Sequence, residues 1–141
     1  MDDFLKFAGE NLFLFGALAV ILVLLAQNLI ASADKSAVTP SGATELINRE
    51  DAVVVDVRPM NDFNAGHIIN AINIPANNLA KQLSQLEKHK NRPIIVACRS
   101  GAQSSLACKQ LRKAGYERVH NLKGGILAWE SDNLPVSRKK R

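Results

Sequence analysis

Cysteine is scarce in this chain. Only Cys98 and Cys108 occur among 141 residues, ten positions apart. That interval matches neither a zinc-ligand pair nor a CxxC redox pair, so no metal role is expected. Internal repeats and low-complexity segments are absent too, which excludes a stacked-repeat architecture. Charge is missing from residues 11–33, and Leu12 to Ala26 are apolar throughout. An amphipathic core helix needs a polar face, and that run leaves none.

As a helix, residues 11–33 would reach roughly 34 Å at about 1.5 Å per residue, enough for a hydrocarbon core of about 30 Å. A cleavable signal peptide is the competing reading, since Ala31-Ser32-Ala33 resembles a small-residue cleavage site. The preceding residues 1–10 weigh against it: Asp2, Asp3 and Glu10 outnumber Lys6, whereas signal peptides begin with positive charge. The expected partner of residues 11–33 is therefore the lipid bilayer, as a retained single-pass anchor. Lys6 on one side against Lys35 and Arg49 on the other places the C-terminal domain in the cytoplasm, at the inner (cell) membrane. A reducing compartment would keep both thiols free.

The remaining composition is ordinary. The formal charge of +5 owes most to Arg138-Lys139-Lys140-Arg141. Residues 137–141 are read as a solvated basic tail, with attraction to anionic headgroups as the functional alternative. No nucleic-acid partner is expected; a protein partner stays open. Residues 34–37 read as a linker, and residues 38–136 as one domain large enough for a core without disulfides.

Within that domain, apolar strands alternate with helices. Thr39 and Pro40 make an N-cap and first helical position. Residues 52–57 (AVVVDV) are a β-branched run and 93–97 (PIIVA) a fully apolar one, the pattern of strands buried on both faces. Residues 71–74 and 118–122 are further strand candidates. Leu79, Leu83 and Leu86 stand at helical intervals. A helix from Ser104 is expected to turn Leu106, Ala107, Leu111 and Ala114 inward and to stop at Gly115. A short helix with Trp129 in the core follows. The expected class is α/β, with a central, mainly parallel sheet flanked by helices.

Chemistry in such sheets sits beyond the carboxyl ends of strands. Cys98 directly follows the run 93–97, and Arg99, Ser100, Gly101, Ala102 and Gln103 lead into the next helix. Gly101 permits backbone conformations that let successive N–H groups turn inward as an anion nest. The helix start adds positive partial charge. Together with Arg99, these favour thiolate over thiol at Cys98.

Strand, cysteine, glycine-containing loop and helix together resemble the rhodanese family of sulfurtransferases, relatives of the cell-cycle dual-specificity phosphatases. The resemblance extends to Val53–Arg58 (VVVDVR), Phe63–Pro75 (FNAGHIINAINIP), Asn121–Trp129 (NLKGGILAW) and Asn133–Val136 (NLPV). A phosphatase needs arginine where this chain has Ser104, and lacking that clamp the phosphatase reading falls away. The resemblance implies that Cys98 takes sulfane sulfur from thiosulfate or a persulfide donor and passes it, as a cysteine persulfide, to cyanide or a thiol. It implies no metal and no organic cofactor. A non-catalytic scaffold recruiting a partner at the membrane is the alternative. Ile69 and Asn70 depart from the family's Pro-Gly, and Gln103 stands where many members carry arginine. Asp56 and Arg58 are read as support, Asp56 holding loop backbone and Arg58 pairing with Asp62. His67 is read as a turn anchor and Cys108 as packing.

Overall fold

The computed structural model of the chain describes residues 1–32 and 36–138. Ala33, residues 34 and 35 of the linker segment 34–37 and the basic residues 139–141 therefore lie outside the described residues. The chain divides into two compact units, Met1–Lys35 and Ser36–Arg141.

In the first unit, α1 (Asp2–Glu10) precedes α2 (Leu12–Ser32). Between them Asn11 breaks the helix, and its side-chain amide donates to the Phe7 carbonyl at 2.9 Å. Phe15 meets Phe4 and Phe7 edge to face, with ring centroids 6.3 and 6.1 Å apart. Leu12–Leu29 is long and apolar enough to cross a membrane, and none of it is buried by protein.

The second unit is built on β1 (Ala37–Val38), α3 (Pro40–Glu50), β2 (Val53–Asp56), α4 (Met60–Ala65), β3 (His67–Ile68) and β4 (Ile72–Asn73). Then come β5 (Ile94–Ala97), α5 (Ala102–Lys113), β6 (Val119–Leu122), α6 (Gly125–Ser131) and β7 (Val136–Ser137). Five strands form a parallel sheet in the order β1-β6-β5-β2-β4, while β3 and β7 pair antiparallel by themselves. β1 starts at Ala37, inside the segment read as linker, and Ser137 of β7 falls in the segment read as tail. As expected, Thr39 caps α3, its Oγ1 accepting the Gly42 N–H at 3.1 Å.

Strand side chains alternate between two faces, and here both faces are covered. Ile94, Val96 and Cys98 point into the cluster formed with Leu79, Leu86, Cys108 and Leu111. Ile95 and Ala97 point into the other, with Ala43, Ile126 and Trp129. Cys98 thus continues the β5 alternation onto the α5 side. Cys108 packs there as expected.

Two details depart from expectation. The leucine-spaced segment forms two 3-10 helices, Ala76–Lys81 and Leu83–His89. Leu79 and Leu86 are buried in either geometry, so their spacing did not separate the two forms. On α5 the buried stripe is Ser104, Ala107, Cys108 and Leu111, whereas Leu106 is 68% exposed and Ala114 is also exposed. Positions 104, 107, 108 and 111 follow the helical repeat; Leu106 lies off it. Accordingly, Leu111→Ala should lose about 2–5 kcal/mol in denaturant unfolding, and Leu106→Ala should change it by less than about 0.5 kcal/mol.

Candidate active site

Beyond Ala97 the chain leaves the sheet at Cys98 and turns through Gly101, whose φ of 100° suits glycine. That turn aims the Gly101 N–H at Cys98 Sγ, 3.0 Å away. Ser104, fully buried on α5, sets its Oγ 3.2 Å from the same sulfur. Its Oγ donates in turn to Asn121 Oδ1 at 2.5 Å, and Asn121 Nδ2 donates to the Gly101 carbonyl at 3.1 Å.

The loop carbonyls face the other way. Cys98 O accepts the Ile126 N–H at 2.9 Å, and Arg99 O accepts the Leu127 N–H at 3.2 Å. The start of α6 thus holds the first two peptide planes of the loop. Gly125 permits this approach: a Cβ there would lie 2.4 Å from Cys98 O and 2.5 Å from Arg99 O, at a φ of +61°.

Burial alone would push the Cys98 thiol up. The Ser104 hydroxyl, followed by the backbone amides of Ser104, Gly101 and Ser100, outweighs it and holds the thiol below its ordinary value. The expected nest and helix start are both present in that set. The charge of Arg99, however, is not among the influences on the sulfur. Arg99 instead lines a hollow of about 290 Å³ with Arg58, Asp62, Leu127 and Glu130. Ala102 opens α5, and Gln103 lines a separate hollow of about 470 Å³ with Met60, Asn77 and Asn78, where none of the described residues lining it is charged. Cys98 as a whole is 2% exposed, so its sulfur is approached only narrowly.

Asp56 and Arg58 support this end of the sheet, with one correction. The partner of Arg58 is Asp56, not Asp62. Arg58 Nη2 sits 2.8 Å from Asp56 Oδ2, Nε reaches both carboxylate oxygens at 3.0 and 3.1 Å, and Nη2 also donates to the Gly66 carbonyl at 2.7 Å. Asp56 Oδ1 accepts the Arg58 N–H at 3.0 Å. A buried guanidinium is best satisfied by this forked geometry, and the two-residue spacing on an extended strand end provides it. His67 bonds the Phe63 carbonyl through Nδ1 at 2.7 Å and stacks on the Phe63 ring, the turn-anchor role expected. Ser104 and Asn121 were not picked out as site residues from sequence. Asn121 could have been found by alternation, because it shares the α5 side of β6 with Val119. Among the described residues no cluster of His, Cys, Asp or Glu could hold a metal ion.

Comparison with known proteins agrees with this geometry. The rhodanese-like domain model matches residues 39–132. The uncharacterized protein YibN of Escherichia coli K12 is 40% identical over 99% of this chain and 100% of its own length. A sulfurtransferase of Allochromatium vinosum is 38% identical, covering 64% of this chain and 83% of its own. The crystal structure of a rhodanese-related protein from Thermoplasma volcanium superimposes with a TM-score of 0.67 at 28% identity, over 73% of this chain and 98% of that one.

Two outcomes follow. Native Cys98 sheds its proton before the unfolded thiol, whose ordinary value is 9.0. Between the native and ordinary values the unfolded state therefore binds more protons, and stability rises with pH. The unfolding free energy of the wild type minus that of Cys98→Ser should climb across that window and fall away as pH drops through the native value. Gly125→Ala should destabilise the fold by about 1–3 kcal/mol and return the Cys98 thiol toward its ordinary value in an ultraviolet thiolate titration.

Proposed function

The chain belongs to the rhodanese-like domain family, and we propose that it is a membrane-anchored sulfurtransferase working through a Cys98 persulfide. The observation that carries this reading is the convergence of the Gly101 N–H and the Ser104 hydroxyl on a thiol held below its ordinary value. A sulfur anion needs donors that are already in place, and a loop whose carbonyls are taken by α6 supplies them.

In the first half-reaction the Cys98 thiolate attacks the outer sulfur of the donor. With thiosulfate, the donor S–S bond breaks, sulfite leaves with the bonding pair, and Cys98 becomes a persulfide anion. In the second, a thiophilic acceptor such as cyanide or a thiolate attacks the outer persulfide sulfur and the Cys98 thiolate returns. Charge and sulfur balance in both steps without a cofactor. Gly101 and Ser104 hold the negative sulfur throughout, and the Asp56–Arg58 pair stiffens the neighbouring strand end. Residues 11–33 supply the anchor in the inner membrane, with the second unit on the cytoplasmic side. Leu12–Leu29 meets the length and composition required.

Donor choice follows from Arg99 and Gln103. Arg99 is the one cation between Cys98 and Gln103, and no described residue lining the hollow at Gln103 is charged. A doubly charged donor is thus held less firmly than by a loop ending in arginine, which favours a persulfide over thiosulfate. Mass spectrometry after exposure to thiosulfate or an alkyl persulfide should find one added sulfur on Cys98 of the wild type and none on Cys98→Ser. Turnover to thiocyanate should vanish in Cys98→Ser, and Gln103→Arg should lower KM for thiosulfate without a matching gain for the persulfide. Sulfur transfer unaffected by Cys98→Ser would defeat the enzymatic reading and favour a scaffold.

A further inference from the structure

The Ser104 hydroxyl has two claimants for one hydrogen. Its oxygen lies 3.2 Å from Cys98 Sγ and 2.5 Å from Asn121 Oδ1, and a hydroxyl donates once. Ser104 is fully buried and Asn121 is 5% exposed, which leaves little room for water to relieve the competition.

The orientation of Asn121 is set by its other end. Its Nδ2 donates to the Gly101 carbonyl at 3.1 Å. Turning the amide over would place two carbonyl oxygens against each other, so Oδ1 is the end that faces Ser104. The fold holds it there: Asn121 is in register with Val96 across the β5–β6 pair, two residues before Cys98, and shares the α5 side of the sheet with Val119.

We propose that Asn121 is a positioning residue that acts on the sulfur through Ser104, competing with it for the hydroxyl hydrogen. While Cys98 is a thiol, S–H donates to Ser104 Oγ and the hydroxyl donates onward to Asn121 Oδ1. When the thiol gives its proton to solvent, the sulfur retains the electron pair and becomes an acceptor. The hydroxyl then rotates to it, and Asn121 Oδ1 releases the hydrogen. No electron is transferred, and one proton leaves. Asn121 is a competing acceptor whose hold must be broken each time the thiolate forms. Neither Ser104 nor Asn121 titrates, so the exchange follows the state of Cys98.

The inference rests on the reading of Cys98 as a thiolate nucleophile, but its test uses no sulfur donor. Thiolate absorbance is titrated in the full-length protein in detergent, with Cys98→Ser as the blank. At a fixed pH below the wild-type midpoint, Ser104→Ala should lower the thiolate fraction about threefold, the scale of one hydrogen bond's net contribution. Asn121→Ala should raise it by about the same factor, and the double variant should behave as Ser104→Ala alone. The opposite signs separate this role from a structural one, because a loosened loop would push both variants the same way. A fall in thiolate fraction for Asn121→Ala, or an equal change with and without Ser104, overturns the proposal.

Should thermal melting show that Asn121→Ala does not fold, Asn121→Asp, of matching size, answers the same question. Its carboxylate holds the hydroxyl harder, so the thiolate fraction should fall more with Ser104 present than in the Ser104→Ala background. An equal fall in both backgrounds overturns the proposal. A chain that titrates as expected yet transfers no sulfur removes the proposed enzyme and leaves this inference standing; the reverse result removes only the inference.

Discussion

The site depends on the capture of two loop carbonyls by the first amides of α6. A peptide plane has a donor edge and an acceptor edge, and both cannot face an anion. By taking Cys98 O and Arg99 O, the Ile126 and Leu127 amides hold the planes on either side of Arg99 with their oxygens turned outward. The amide of the next plane along, the Gly101 N–H, meets the sulfur at 3.0 Å. The glycine pair is where the structure allows least variation: a side chain at Gly125 would meet the loop backbone itself, and one at Gly124 would meet Ala128 at 2.6 Å. Two segments distant in sequence are thereby joined into one unit, with the sheet order bringing β5 beside β6 so that the following loops meet.

The sheet supplies the second constraint. Because β5 is covered on both faces, its alternation cannot slip by one residue without exchanging every contact. Ile94, Val96 and Cys98 face α5, and Ile95 and Ala97 face α3 and α6. The sulfur comes out below the start of α5 for the same reason that Val96 is buried. On the neighbouring strand the Asp56–Arg58 pair performs a different task. Its charges are buried and satisfied within a three-residue stretch, and its reach to Gly66 ties β2 to the turn before β3.

Much of this was legible in the sequence because it follows from strong periodic signals. Residues 52–55 and 93–97 are apolar without interruption, and no amphipathic element reads that way. Thr39-Pro40 marks a helix start by chemistry that needs no tertiary partner. The cysteine, its glycine and the helix after it lie within one short stretch. What stayed hidden depends on partners far along the chain. Nothing near Arg58 says whether Asp56 or Asp62 will claim it; that is settled by the strand end folding the side chain back. Leu106 reads as a core residue by composition, but the stripe that packs runs from Ser104, a polar residue whose burial makes sense only once Asn121 is placed opposite it. The leucines at 79, 83 and 86 record burial and are silent on whether the helix turns in three residues or in 3.6.

A nucleophile on a residue only 2% exposed carries a consequence of its own. Oxidative damage to cysteine proceeds by successive addition of oxygen, and each addition needs access to the sulfur. With Cys98 2% exposed as a residue, approach to it is restricted. A second sulfur bonded to it would stand about 2 Å further along. A restricted approach of that kind would slow the irreversible stages of oxidation.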